Sequence, residues 1–255
     1  MNRLTIAIPT FRRPQDLKRA VRGVLEQAGE LVGGLSAEAR EPEGDSAGAA
    51  DVDGGAGRGV SDVEVLVIDN DAQGTGREAA LAAVADAGVP VRSSAEGADE
   101  PEAVGLRYVV EEKPGVAAVR NRALDETGGR DLLVFIDDDE EPEPGWLAAL
   151  VGLWASTGCQ AVAGPVIPVY EVEPEEWVRQ GEFFVRRTWP TGTVRPVAAS
   201  NCLLLDLGFV RRAGLRFDEA FGATGGEDTL FTRRLSAAGG VIRWCDEARV
   251  RDHVP

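Results

Sequence analysis

The sequence predicts an α/β fold: a mostly parallel central sheet flanked by helices, with a smaller region after it. Strand-length apolar stretches at Leu4–Ile8, Val63–Ile68, Leu106–Val110 and Leu132–Ile136 alternate with stretches of helical period, the pattern of successive right-handed βαβ units. Where these stretches end in polar residues they do so on the carboxyl side, at Thr10, Asp69 and Asp137, and open sheets of this class bind ligands outside the carboxyl ends of their strands. The stretch Leu132–Ile136 then runs straight into five consecutive acids, Asp137 to Glu141. Five carboxylates at one strand end repel one another unless a cation neutralises them.

Taken in order, Leu4–Ile8 is the first strand and ends at Pro9-Thr10. Pro14 opens a helix with Leu17, Val21, Val24, Leu25 and Ala28 at helical spacing. Residues 33–62 are rich in Gly, Ala, Asp and Glu, with almost no large apolar side chain. They cannot bury enough surface to offset the entropy of ordering, so they read as a disordered insertion. Val63–Ile68 ends in Asp69-Asn70-Asp71 and precedes an alanine-rich helix over 76–87. Residues 92–105 form a second polar insertion before the strand Leu106–Val110, and Lys113-Pro114-Gly115 turns into a helix over 116–126 that carries Arg120, Asn121 and Arg122.

After Leu132–Ile136 and a helix over 145–156, residues 160–166 read as one further strand. The alternation then loosens. Five prolines between 165 and 196, with Trp177 and Trp189, predict short strands and loops, and Trp177, Phe183 and Trp189 read as core aromatics. Asp206 is placed to cap a helix reaching 213, Gly222–Gly226 is a glycine-rich loop, residues 229–238 are helical, and 241–245 form a last strand.

Composition narrows the function. The net charge is −16 with a pI near 4.6, which argues against nonspecific binding to nucleic acid or to an anionic membrane. Residues 33–62 hold seven acids and two arginines, and residues 92–105 hold four acids and one arginine, so the two insertions carry half of that charge. Cys159, Cys202 and Cys245 are too scattered for a disulfide framework or a zinc ribbon, which fits a reducing compartment and a cytoplasmic location. The first residues lack the apolar region of a secretory leader, and no run of about 18 apolar residues spans a bilayer.

The acids carry the chemistry. Mg²⁺ or Mn²⁺ takes oxygen ligands, commonly one or two carboxylates and substrate phosphates. On an extended segment Asp137 and Asp139 point the same way and Asp138 the other. A helix-start cluster favoured by the macrodipole is the plainer alternative, although that effect is worth only about 0.3–1 kcal/mol. Glu140 and Glu141 belong to the turn and the next helix. Lysine and arginine are sparse nearby in the sequence, which favours a metal as the neutralising charge. Asp228, after the glycine-rich loop, is either an N-cap or a general base. His253 is the one histidine of the chain, and a lone histidine is structural more often than it is a ligand.

Five segments in this order, Ile6–Pro14, Val67–Asp71, Gly115–Asn121, Phe135–Asp139 and Gly226-Glu227-Asp228, resemble the family 2 glycosyltransferases, and the run Phe135–Trp146 is similar to the glucosyltransferases of succinoglycan-type exopolysaccharide assembly. The resemblance implies the GT-A nucleotide-sugar fold as a single domain, with residues 1–165 as the nucleotide-sugar half and 166–255 as the acceptor and catalytic half. It implies that Pro9, Thr10, Arg12, Asp69, Arg120, Asp137 and Asp138 line the nucleotide site. Asp139, with Asp137 and His253, would hold Mn²⁺ or Mg²⁺, and Asp228 would deprotonate the acceptor hydroxyl. The implied reaction is inverting transfer of one hexose such as glucose, carried on UDP, to a glycan or a lipid-linked saccharide. A lipid-linked acceptor would place the enzyme at the inner face of the membrane, although no basic amphipathic helix supports that. Arg243-Trp244 lacks the preceding glutamine of processive synthases, which favours single addition. The rival readings are a sugar nucleotidyltransferase, which would show a glycine-rich loop after the first strand where this chain has Pro9–Arg13, and a degenerate nucleotide-sugar-binding module.

Overall fold

In a computed structural model the chain is described over residues 2–38, 59–93, 104–221 and 224–254. Along the chain lie β1 (Asn2–Thr10), α1 (Pro14–Glu38), β2 (Val60–Asp69), α2 (Arg77–Ala87), β3 (Val91–Ser93), β4 (Val104–Val110), α3 (Val116–Glu126) and β5 (Leu132–Ile136). The second half contains β6 (Glu140–Pro142), α4 (Trp146–Thr157), β7 (Ala161–Ala163), β8 (Val166–Tyr170), α5 (Glu176–Gly181), β9 (Val194–Arg195), β10 (Cys202–Asp206), α6 (Leu207–Arg212), α7 (Glu227–Ala237), β11 (Ile242–Trp244) and β12 (Val250–Val254).

Among the described residues the main sheet has the order β3-β4-β2-β1-β5-β10-β7-β11-β9. Its first five strands are parallel, as the alternating pattern predicts. The strand β10 then enters antiparallel between β5 and β7, so the sheet is mixed beyond that point. Side-chain alternation divides the core between the two faces. Leu132, Val134 and Ile136 of β5 pack on the α1 and α4 side, while Leu133 and Phe135 pack on the other. There the Phe135 ring meets Phe217 edge-on at 5.8 Å, and Phe217 stacks on Phe231 of α7 at 4.2 Å. Burying each such side chain contributes about 1.5–3 kcal/mol, and these rings seat α7 against the end of β5.

The structure corrects several expectations. The segment 160–166 is two strands in different sheets, because β8 leaves to join a second sheet of order β6-β12-β8. Gly164 sits at the break, where a Cβ would come within 2.1 Å of the Ala248 carbonyl oxygen. The strand β12 has no strong local signal; it pairs parallel with β8 and antiparallel with β6. Insertion boundaries also move inward. Helix α1 runs to Glu38, and Val60, 2% exposed, already pairs with Asn2. Val91–Ser93 and Val104–Val110 are strands. The rest of the insertions, 39–58 and 94–103, lies outside the described residues. Trp177 and Phe183 are not core side chains: they are 63% and 65% exposed, on and beside the short helix α5. All three cysteines are buried and free.

Candidate active site

Because β2, β1 and β5 are consecutive neighbours in the sheet, their carboxyl ends open onto one cavity of about 480 Å³. Its walls include Pro9 and Thr10 at the end of β1 and Arg13 after it, Asn70 after β2, Gly115 and Arg120 at the start of α3, and Asp137, Asp138 and Asp139 after β5.

The chain turns at Asp138-Asp139 instead of remaining extended, so simple alternation does not apply and all three aspartates line the cavity. Asp138 turns back toward β1. Thr10 donates through Oγ1 to its Oδ2 at 2.7 Å, and Arg13 lies 3.5 Å from its Oδ1 while forming a closer ion pair with Asp139. Burial pushes the Asp138 carboxyl up to about 6, against the pull of Thr10 and Arg13. Asp137 is also raised, chiefly by burial and in part by Asp139, with Arg120 opposing. Glu140 is not part of a helix start. It lies in β6, 2% exposed, where it accepts from Asn201 Nδ2 at 2.6 Å and from the Asp137 N–H at 3.1 Å. Burial and Asp137 hold its carboxyl well above the ordinary range. Cations absent from the neighbouring sequence reach the turn through space, as Arg13 and Arg120.

Arg120 is buried between two acids from distant elements. It pairs closely with Glu227 in the first turn of α7 and lies 3.5 Å from Asp137 Oδ1. Buried charges of this kind need such partners, so the pair ties α7 to the acid turn. Asp228 follows in the same first turn. It is not the N-cap, a position Gly226 takes with φ 95°. Asn70 supports the opposite wall: its Nδ2 donates to the carbonyls of Glu111 and Lys113 at 2.8 and 2.7 Å, and its Oδ1 accepts from the Gly115 N–H at 2.9 Å.

Three expected site residues face elsewhere. Asp69 is fully buried. Its carboxylate accepts from the Asp71 and Gly76 N–H groups, each at 2.8 Å, and from the Tyr108 hydroxyl. Arg12 adopts φ 56° and points outward over Phe11, paired with Asp71 at 3.1 Å, while Arg13 enters the cavity. His253 lies in β12 with Nε2 3.3 Å from Glu141 and Nδ1 3.9 Å from Glu171. Alternation along that strand turns its neighbour Asp252 the other way. Asp252 has its carboxyl raised by burial and by Asp139, and it accepts from Arg186 at 3.4 Å.

Among the described residues no group of three or more His, Cys, Asp or Glu side chains is gathered as a ready-made metal site. Asp137 and Asp139 offer carboxylate oxygens, the donor type Mg²⁺ and Mn²⁺ take, and the Asp137 carboxyl is raised chiefly by burial and in part by Asp139.

A sequence profile described as Glycosyl transferase family 2 matches residues 56–198. The chain is 33% identical over 199 residues to the succinoglycan biosynthesis protein ExoM of Rhizobium meliloti (strain 1021), across 76% of this chain and 57% of that protein. It therefore spans just over half of that relative's length. Among solved structures it is similar to S. aureus TarS 1–349 (TM-score 0.64, 13% identity, 98% of this chain and 60% of that one). It is also similar to the same TarS segment in complex with UDP-GlcNAc (TM-score 0.63, 12% identity, 99% and 59%) and to GalNAc-T7 with UDP, GalNAc and Mn²⁺ (TM-score 0.64, 13% identity, 100% and 44%). At such identities these likenesses establish the fold, GT-A, and not the substrate.

Proposed function

The chain belongs to the family 2 glycosyltransferases, and from that premise we propose that it transfers a single hexose, such as glucose, from a UDP-sugar to a hydroxyl of a glycan or lipid-linked saccharide in exopolysaccharide biosynthesis. The observation that carries the reading is the convergence of Asp137, Asp138 and Asp139 with Thr10, Asn70 and Arg120 in one cavity at the strand ends. The likeness to ExoM, a succinoglycan biosynthesis protein, supports the polysaccharide context, and the structures holding UDP-GlcNAc or UDP support the donor class.

In this reading Pro9, Thr10, Asn70 and Gly115 form the nucleotide side, and Asp139 and Asp137 would hold Mn²⁺ or Mg²⁺ with the donor diphosphate. When bound, that ion supplies neutralisation of the charge gathering on the departing diphosphate. Arg13, against Asp138 and Asp139, and Arg120, against Asp137, orient the acid turn. Asp228 takes the proton from the acceptor hydroxyl, which attacks the anomeric carbon opposite the leaving group and inverts its configuration. His253, held by Glu141 and Glu171, has no part in the metal site of this reading.

The reading is tested by thermal shift with UDP-, GDP- and dTDP-sugars, each with and without Mn²⁺, followed by transfer assays with the stabilising donor. A UDP-sugar is expected to stabilise the protein more with Mn²⁺. Release of pyrophosphate from a nucleoside triphosphate and a sugar 1-phosphate would identify a nucleotidyltransferase instead. Asp228→Asn should lower turnover by about 10²–10⁴ while UDP binding persists, the usual contribution of a general base; unchanged turnover would remove Asp228 from the mechanism.

A further inference from the structure

A second cavity, of about 250 Å³, lies against β7 and β9, and its walls include Arg186, Arg187, Trp189, Arg195, Asn201 and Thr229; Asn201 links it to Glu140, directly after the acid turn. We propose that this cavity is the acceptor subsite and that it takes a sugar bearing an oxyanion, a carboxylate or a phosphate. This inference rests on the transferase reading above and specifies its acceptor.

Three arginines around one small cavity are unexpected in a chain of 43 acids against 27 lysines and arginines. Arg107, Arg130 and Arg216 are held by carboxylates, and Arg211 and Arg243 donate to backbone carbonyls. Among the described residues Arg187 and Arg195 have no carboxylate partner, and Arg186 meets Asp252 at only 3.4 Å. Arg195 is nevertheless held in place. Its guanidinium lies 3.4 Å from the centre of the Trp189 ring, and Trp244 braces that ring edge-on at 4.9 Å. Stacking on an aromatic face fixes a guanidinium without using its N–H edge, the edge that pairs with an oxyanion in bidentate fashion.

The polar wall is built to match. Asn201, 8% exposed, donates through Nδ2 to the buried Glu140, while its Oδ1 is buried and without a hydrogen-bond partner among the described residues. Thr229 on the same wall directly follows Asp228, the proposed base. The cavity thus has on its walls the residue next to Asp228 and the guanidinium groups of Arg187 and Arg195, which have no carboxylate partner among the described residues. A neutral glycan filling it would bury those cations without compensation.

The test is calorimetric titration of the protein saturated with UDP and Mn²⁺, using methyl β-D-glucuronoside, glucose 6-phosphate and methyl β-D-glucoside. At least one charged sugar should bind about tenfold or more tightly than the neutral glucoside, the scale of one charge-assisted contact; which of the two does so separates carboxylate from phosphate. Arg195→Ala and Arg187→Ala should each reduce that preference. Arg187 is exposed and unpaired, so its replacement tests the inference even if the stacked Arg195 proves necessary for folding. Equal binding of all three sugars, or a preference that survives both substitutions, would overturn the inference. A separate UDP titration keeps the two readings apart: loss of UDP binding sinks the donor reading, whereas intact UDP binding with unselective sugar binding sinks only the acceptor assignment.

Discussion

Two strands of the main sheet end alike and behave differently. The strand β2 runs into Asp69-Asn70-Asp71 and β5 into Asp137-Asp138-Asp139, each an apolar strand followed by acids at its carboxyl end. At β2 the aspartate is sealed in. Three donors, the Asp71 and Gly76 N–H groups and the Tyr108 hydroxyl, use its carboxylate, and Asp69 fastens the start of α2 to the strand. At β5 the three aspartates face a cavity and are contacted by Arg13, Arg120 and Thr10, which come from outside that strand and its turn. An acidic strand end is thus a site only where its carboxylates are left unspent by the local backbone. The same motif otherwise serves as a clasp.

The comparison is broken or sharpened by substitutions at each end. The largest effect on stability is expected from Asp69→Ala, which strands two buried N–H groups and the part-buried Tyr108 hydroxyl and should cost about 3 kcal/mol in chemical denaturation. A variant as stable as the parent that had lost UDP binding would reverse the roles of the two ends. Tyr108→Phe removes one donor to that same carboxylate and should cost about 1 kcal/mol, with UDP affinity unchanged. Burial and Asp69 together raise the Tyr108 hydroxyl pKa, so that donor stays protonated throughout the working range.

A smaller, pH-dependent effect belongs to β5. The Asp138 carboxyl is raised from 3.8 to about 6 in the folded protein. Between those values the folded state holds a proton that the unfolded chain has lost, so stability falls as pH rises through that window. Asp137 and Glu140 are raised as well and act in the same direction. Asp138→Asn should therefore flatten the decline between about pH 4 and 6 in chelator-treated protein, followed by thermal melting. An identical slope in the variant would show that the acid turn is not desolvated as described.

Much of the parallel half was legible in the sequence, because β1, β2, β4 and β5 are local apolar runs punctuated by Pro, Gly and acids. The remainder depends on pairings that no local pattern encodes: β10 entering antiparallel, the change of sheet at Gly164-Pro165, and β12 joining β6 to β8. Of the residues expected at the site, Pro9, Thr10, Arg120, Asp137, Asp138 and Asp139 line the cavity, while Arg12, Asp69 and His253 do not, and Arg13 and Asn70 line it beside them. At a strand end the phase of alternation is set by the bend that follows, here the φ 56° of Arg12 and the turn at Asp138-Asp139, which composition does not reveal. Glu227 was missed because its partner Arg120 lies 107 positions away.

Whether the β5 acids hold the donor through a divalent cation, as proposed, is decided by UDP titration of Asp139→Ala with and without Mn²⁺. Mn²⁺ should strengthen UDP binding to the parent protein and not to the variant, with both melting at similar temperatures after chelation. The same Mn²⁺-dependent gain in a folded Asp139→Ala variant would contradict the proposal.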